Sequence, residues 1–245
     1  MGLGSPSLAE LLGEAGCHWL VVETEHNGLD SAEIEHMLMA IGNTGAVPLV
    51  RVASANPVYI QRALDMGAMG VVVPLIRTAE DARAVVRATR YPPQGTRGFG
   101  PLRASRYTFD NEHYFRNANE NTLVVLILET REAVENLEEI CAVPGVDALY
   151  IGPFDLCLSL GLDPMRMPFP ETEAVIERAL ALGRKSGVAI GMGGRTPEQL
   201  RQRVARGFTF VGYGPDYALL GDAMRAGIAA FAQQVPDATM RSAEA

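Results

Sequence analysis

Several short apolar runs in this chain end in a residue that can do chemistry. Glu23, Glu25 and His26 follow residues 19–22, Arg51 closes residues 47–50, Glu129 closes residues 123–128, and Asp155 follows Ile151-Gly152-Pro153-Phe154. Carboxylates, an imidazole and a guanidinium around one cavity form a kit for binding a hard divalent cation together with an oxyanion. The imidazole adds a group whose ordinary pKa suits proton transfer near neutrality. Taken singly, each residue has a plainer use. His26 could bond within a loop, Arg51 could pair with a neighbouring acid, Glu129 could favour the dipole of a helix starting after it, and Asp155 could cap a helix. Their shared position at the ends of apolar runs is what points to chemistry.

For these side chains to meet, the runs that carry them must lie side by side. Residues 18–22, 47–52, 70–74, 123–128, 148–151, 188–192 and 208–213 have strand length and nearly continuous apolar character, the pattern of strands buried on both faces of a parallel sheet. Amphipathic stretches at 31–40, 57–66, 79–89, 131–140, 171–185 and 197–206 separate them, so the chain reads as successive βαβ units. Asp30, Thr78 and Thr196 suit helix N-caps, Pro57 and Pro197 suit first helical turns, and Gly67, Gly187 and Gly207 suit helix ends. An eighth strand would be the stub at 1–4, ahead of a helix at 8–15. The expected fold is therefore α/β, a single (β/α)8 TIM barrel with a short first strand over residues 1–235, followed by a small, polar, flexible tail at 236–245. Active sites of such barrels lie at the C-terminal ends of the strands.

Composition removes several alternatives. Of the 245 residues, 48% are apolar and 20% charged, enough apolar surface for a sizeable core. A formal net charge of -8, with 21 scattered Lys and Arg residues, disfavours nucleic acid as a partner. No apolar stretch nears the roughly 20 residues of a membrane span, and no signal-peptide pattern opens the chain. Cys17, Cys141 and Cys157 are odd in number and lack C-x-x-C spacing, so neither a disulfide framework nor a thiolate zinc site is expected, and a reducing cytoplasm is. The connections at 91–121 and 160–170 are long enough to carry function. Gly191-Met192-Gly193-Gly194-Arg195 lacks the spacing of a dinucleotide or phosphate loop.

A set of ordered segments goes further. It comprises Ala9-Glu10-Leu11, Glu23-Thr24-Glu25-His26, Pro48-Leu49-Val50-Arg51, Val73-Pro74 and Arg87-Ala88-Thr89-Arg90-Tyr91-Pro92-Pro93. It continues with Gly95-Thr96-Arg97-Gly98, Arg103-Ala104-Ser105-Arg106-Tyr107, Glu129-Thr130-Arg131-Glu132-Ala133 and Ile151-Gly152-Pro153-Phe154-Asp155-Leu156. Together these resemble the HpcH/HpaI aldolase family, the metal-dependent class II pyruvate aldolases, over almost the whole chain. The resemblance implies a barrel of the phosphoenolpyruvate/pyruvate type and a lyase that reversibly cleaves 4-hydroxy-2-oxo acids to pyruvate and an aldehyde through a metal-stabilised enolate. It implies Glu129 and Asp155 as ligands of a divalent ion such as Mg2+, Mn2+ or Co2+. Arg51 would meet the keto oxygen, Gly152, Pro153, Phe154 and Asp155 would surround the pyruvate carboxylate, and His26, oriented by Asp65, would move the proton. Arg103, Arg106 and the 160–170 loop would select the aldehyde, with Glu23 and Glu25 in support. A homo-oligomer, as in related hexamers whose last helix packs on a neighbour, is also implied, and the apolar stretch at 217–231 permits it.

The chain departs from the family pattern at several places. Glu23 stands where Asp is usual, Ile127 where close relatives carry a Gln, and Phe154 where a small residue is found. The family's first-strand aromatic residue and N-terminal helix would fall before Met1. These changes leave the metal pair intact and remodel the pocket. Two further readings follow: decarboxylation of oxaloacetate at the same enolate site, and a barrel whose catalysis has lapsed and which acts as a binding protein.

Overall fold

The computed structural model describes residues 1–234 of the chain. Seven strands are present: β1 Trp19–Glu23, β2 Val47–Arg51, β3 Gly70–Val73, β4 Leu123–Leu128, β5 Ala148–Ile151, β6 Ala189–Gly194 and β7 Phe210–Tyr213. They form one parallel sheet whose spatial order is the chain order. Ahead of β1 lies α1 (Pro6–Glu14), and the connections between strands hold α2 (Ser31–Gly42), α3 (Pro57–Asp65), α4 (Ala79–Thr89), α5 (Asn111–Asn121), α6 (Arg131–Glu135) and α7 (Leu137–Cys141). These are followed by α8 (Pro153–Ser159), α9 (Pro170–Ser186), α10 (Pro197–Arg206) and, after β7, α11 (Asp216–Gln234). Among the described residues no helix is long and apolar enough to cross a membrane.

Alternation along each strand sorts the core into two regions. Leu20, Val22, Val71, Val73, Val124, Leu126, Leu128, Leu149 and Ile151 belong to the large cluster shared with the helices, whereas Val21, Val72, Val125, Ile127, Ala148 and Tyr150 gather on the concave side. Both faces are thus covered, which is why the strands read as continuous apolar runs. The sheet curls until Trp19 of β1 stacks on Phe210 of β7, with ring centroids 4.3 Å apart. Local capping fixes where the helices begin. Asp30 and Thr78 each close a capping box, with Glu33 and Asp81 answering, and Thr196 accepts from the Gln199 N–H. Gly187 and Gly207 end their helices at φ 82° and 103°, a conformation that favours glycine.

Among the described residues the expected eighth strand is not formed, and the strands make a seven-stranded parallel curled sheet where eight were expected to close a (β/α)8 barrel. The Met1 ammonium donates to the Val21 carbonyl, and the Glu23 N–H donates to the Met1 carbonyl at 3.0 Å, a single residue of parallel pairing on the free edge of β1. The N–H groups of Gly2 and Leu3 then turn to the Asp216 carboxylate at 2.8 and 3.1 Å. With its donors drawn toward α11, the segment cannot continue along the sheet. The helix expected at 131–140 is broken at Asn136 into α6 and α7, and the connection at 91–121 contains α5. The expected tail at 236–245 lies outside the described residues.

Candidate active site

Inward-facing residues alternate along each strand, and on β1, β2 and β4 the inward position at or just beyond the C-terminal end is charged. Glu23 and Arg51 are directly paired across β1 and β2, and Arg51 pairs with Val72 on β3. Glu25 lies two residues beyond Glu23, and Glu129 two residues beyond the inward Ile127 of β4. The curl of the sheet therefore brings acids from β1 and β4 onto one guanidinium. Arg51 Nη1 lies 3.1 Å from Glu23 Oε2, and Nη2 contacts Glu25 Oε2 and lies 3.8 Å from Glu129 Oε2. Its Nε is enclosed and donates to no described residue, an unmet donor of the kind buried sites keep for a ligand or water.

Glu23 uses both oxygens. Oε1 accepts from the N–H groups of Glu25 at 2.6 Å and His26 at 3.3 Å, while Oε2 holds Arg51. The longer side chain at this position thus tethers the histidine loop and the arginine together. His26 is well exposed, with Nε2 3.5 Å from Glu25 Oε2. Burial raises the Glu25 carboxyl above the ordinary range, opposed by Arg51 and His26 and reinforced by Glu23 and Asp155.

Glu129 is only 2% exposed. Its Oε1 accepts from the Leu75 N–H at 2.7 Å, and its Oε2 accepts no hydrogen bond from the described residues. Leu75 adopts φ 58°, a left-handed conformation costing an L-residue about 1–2 kcal/mol, and from it points its N–H at the carboxylate. Burial raises the Glu129 carboxyl as well, eased by the Leu75 N–H and Arg51 and reinforced by Glu25 and Asp155. Asp155 is exposed in the first turn of α8, whose start at Pro153 follows Gly152. A side chain at Gly152 would place its Cβ 3.0 Å from Glu129 Oε2 and 3.2 Å from Ile127 Cγ2, so it would crowd that carboxylate and press it to shift. Phe154 is 53% exposed beside Asp155, and no side chain caps the first turn of α8. Among the described residues no group of three or more His, Cys, Asp and Glu side chains forms a ready metal cage.

Three expected site residues lie elsewhere. Asp65 ends α3 ahead of β3, at the opposite end of the sheet from His26, which follows β1. With β1 and β3 five and four residues long, about 15 Å separates the two ends, too far for Asp65 to orient His26 within one chain. Asp65 instead accepts from Arg97 Nη2 at 2.8 Å, and Arg97 lies over the Tyr91 ring. Arg103 donates to the carbonyls of Met66 at 2.9 Å and Leu38 at 3.3 Å, at the C-terminal ends of α3 and α2, where a cation complements the helix dipole. Arg106 shares a hollow at that end with Gly67 and Arg103. The reason is parity: the 91–121 connection follows a helix and leads into a strand, so it must lie at the strands' N-terminal end. The 160–170 segment follows β5 and α8.

The sequence reading missed two residues here, Leu75 and Tyr150. Nothing local in the sequence announces the backbone conformation of Leu75. Tyr150 is an inward residue of β5, and burial pushes its phenol up to about 12, so it stays a donor at neutral pH. Its signal was the glycines at 191, 193 and 212, spaced two apart on β6 with a third on β7.

The chain is similar to known proteins along most of its length. The 2-dehydro-3,6-dideoxy-6-sulfogluconate aldolase of Pseudomonas putida is 44% identical over 221 residues, covering 88% of this chain and 84% of that protein. The 4-hydroxy-2-oxo-heptane-1,7-dioate aldolase of Escherichia coli is 39% identical over 238 residues, covering 96% and 89%. The crystal structure of an HpcH/HpaI aldolase/citrate lyase family protein from Burkholderia cenocepacia superposes with a TM-score of 0.89 at 36% identity, over 94% of this chain and 92% of that one. The family model for HpcH/HpaI aldolase/citrate lyase matches residues 1–223. With an arginine set among acids at the strand ends and these relatives along its length, the chain belongs to the HpcH/HpaI aldolase/citrate lyase family.

Proposed function

We propose that this aldolase reversibly cleaves 4-hydroxy-2-oxo acids to pyruvate and an aldehyde, forming the pyruvate enolate beside Arg51. The observation that carries the reading is Arg51 itself, fixed by Glu23 and Glu25 with Nε left unmet. Held this way, its guanidinium can donate to the 2-oxo oxygen of the substrate without reorganising as negative charge grows there.

The donor set fits a hard divalent ion. Glu129 offers a buried oxygen free of hydrogen bonds, and Asp155 is near enough to raise the Glu129 carboxyl. Two carboxylates, with water and substrate oxygens making up the remainder, suit Mg2+, Mn2+ or Co2+. Such an ion, when bound, supplies Lewis-acid stabilisation of the enolate charge. Gly152 and Pro153 shape the turn into α8, and the N–H groups of Phe154 and Asp155 meet the substrate carboxylate. His26, exposed and linked to Glu25, moves the proton of the 4-hydroxyl. Exposed Leu220, Met224, Ile228 and Phe231 on α11 support association of several copies of the chain, and three free thiols suit a reducing cytoplasm.

Pyruvate release from 4-hydroxy-2-oxoheptanedioate, followed with and without EDTA, tests the reading. Release that stops with chelator and returns with added Mg2+ or Mn2+ is expected. Turnover indifferent to EDTA would remove the metal role, and release from oxaloacetate alone would replace aldol cleavage with decarboxylation.

A further inference from the structure

Tyr150 is an inward side chain of the site face that the chemistry above leaves unused. It pairs in register with Ile127 on β4 and Gly191 on β6, and Phe210 meets its ring edge-on at 6.1 Å. Three glycines make space for it. A Cβ at Gly191 would lie 2.7 Å from Tyr150 Cδ2, one at Gly193 2.9 Å from its hydroxyl oxygen, and one at Gly212 2.7 Å from that oxygen. None of the three is among the glycines with positive φ, so conformation does not explain them. Glycine weakens a strand interior unless something must approach closely; at Gly193 and Gly212 that something is the Tyr150 hydroxyl, and at Gly191 it is the Tyr150 ring together with the Phe210 carbonyl, 2.6 Å from the same Cβ position.

The contacts also give the ring a direction. Its near edge touches the Gly191 level and its hydroxyl reaches the level of Gly193 and Gly212, which pair with each other one residue short of the strand ends. The hydroxyl therefore lies toward the mouth, over β6 and β7, where Gly191, Gly193 and Gly212 contribute no side chain. It makes no hydrogen bond to any described residue, and Tyr150 is only partly buried. Arg51, Glu129 and Asp155, which would hold the pyruvate half of the substrate, sit at the ends of β2, β4 and β5.

We infer that the Tyr150 hydroxyl contacts the aldehyde-derived half of the substrate and donates to an oxygen substituent carried there, so that Tyr150 selects oxygen-bearing aldehydes. The inference rests on the aldolase reading and is tested with Tyr150→Phe, which keeps the ring that fills the glycine hollow. Three assays of the metal-loaded enzyme are compared: aldol addition of pyruvate to glycolaldehyde, the same addition to acetaldehyde, and deuterium exchange at pyruvate C3. For the variant, kcat/KM with glycolaldehyde should fall about tenfold, the weight of one neutral hydrogen bond in a site, while acetaldehyde addition and exchange stay unchanged. Gly193→Ala, which crowds the hydroxyl, should reproduce that selective loss. Equal losses with both aldehydes, no loss with either, or a loss in exchange would each overturn the assignment. Absence of exchange in the unmodified enzyme would instead reject the aldolase reading beneath it.

Discussion

Glu129→Gln is expected to lower aldol cleavage about a thousandfold while leaving the fold as stable as before or more so. The rate falls because the amide keeps the shape but gives up the charge proposed to anchor a divalent ion, and a Lewis acid contributes several kcal/mol to stabilising an enolate. Stability moves the other way. Glu129 is buried, and desolvation is the largest influence on its carboxyl, so the fold disfavours the ionised form. A neutral amide escapes that penalty and can still accept from the Leu75 N–H. Opposite signs in kcat and in the thermal midpoint are what a functional carboxylate should show. Full activity in the variant would exclude Glu129 from the chemistry, and loss of activity together with a lower midpoint would make it a structural residue.

Arg51→Lys should cost about a hundredfold to a thousandfold in kcat/KM, the usual loss when one oxyanion donor is removed. Lysine keeps the charge but not the planar fork. Arg51 spreads Nη1 and Nη2 over Glu23, Glu25 and Glu129 at once, and a single ammonium cannot hold three acids in that geometry. Arg51→Leu should also destabilise the chain by about 3–5 kcal/mol, because acids that are largely buried lose their common counter-charge. Kinetics and thermal melts of the two variants separate these effects. A lysine variant with native turnover would mean that charge alone suffices at this position.

Much of this architecture was legible in the sequence. All seven internal strands stood out because strands covered on both faces must be apolar throughout, and the caps at Asp30, Thr78 and Thr196 formed because their side chains have orphan N–H groups to meet. Elements without such a pattern escaped. In α5 only Ala118 is buried, so no apolar stripe marks it, and Gly2 and Leu3 turn away from the sheet through contacts with Asp216, more than two hundred residues distant. For the site, residue types at strand ends located Glu23, Glu25, Arg51 and Glu129 around one centre. Asp65, Arg103 and Arg106 were misplaced because their chemistry suited the site while their position did not. Counting whether a connection leaves a strand or a helix would have sent them to the far end.

The stack of Trp19 on Phe210 has a practical use. The chain has a single tryptophan, and the aromatic ring against it belongs to the strand at the other edge of the sheet. Its fluorescence therefore monitors the meeting of the first and last strands, and gives an optical clock for the curling that gathers the acids around Arg51.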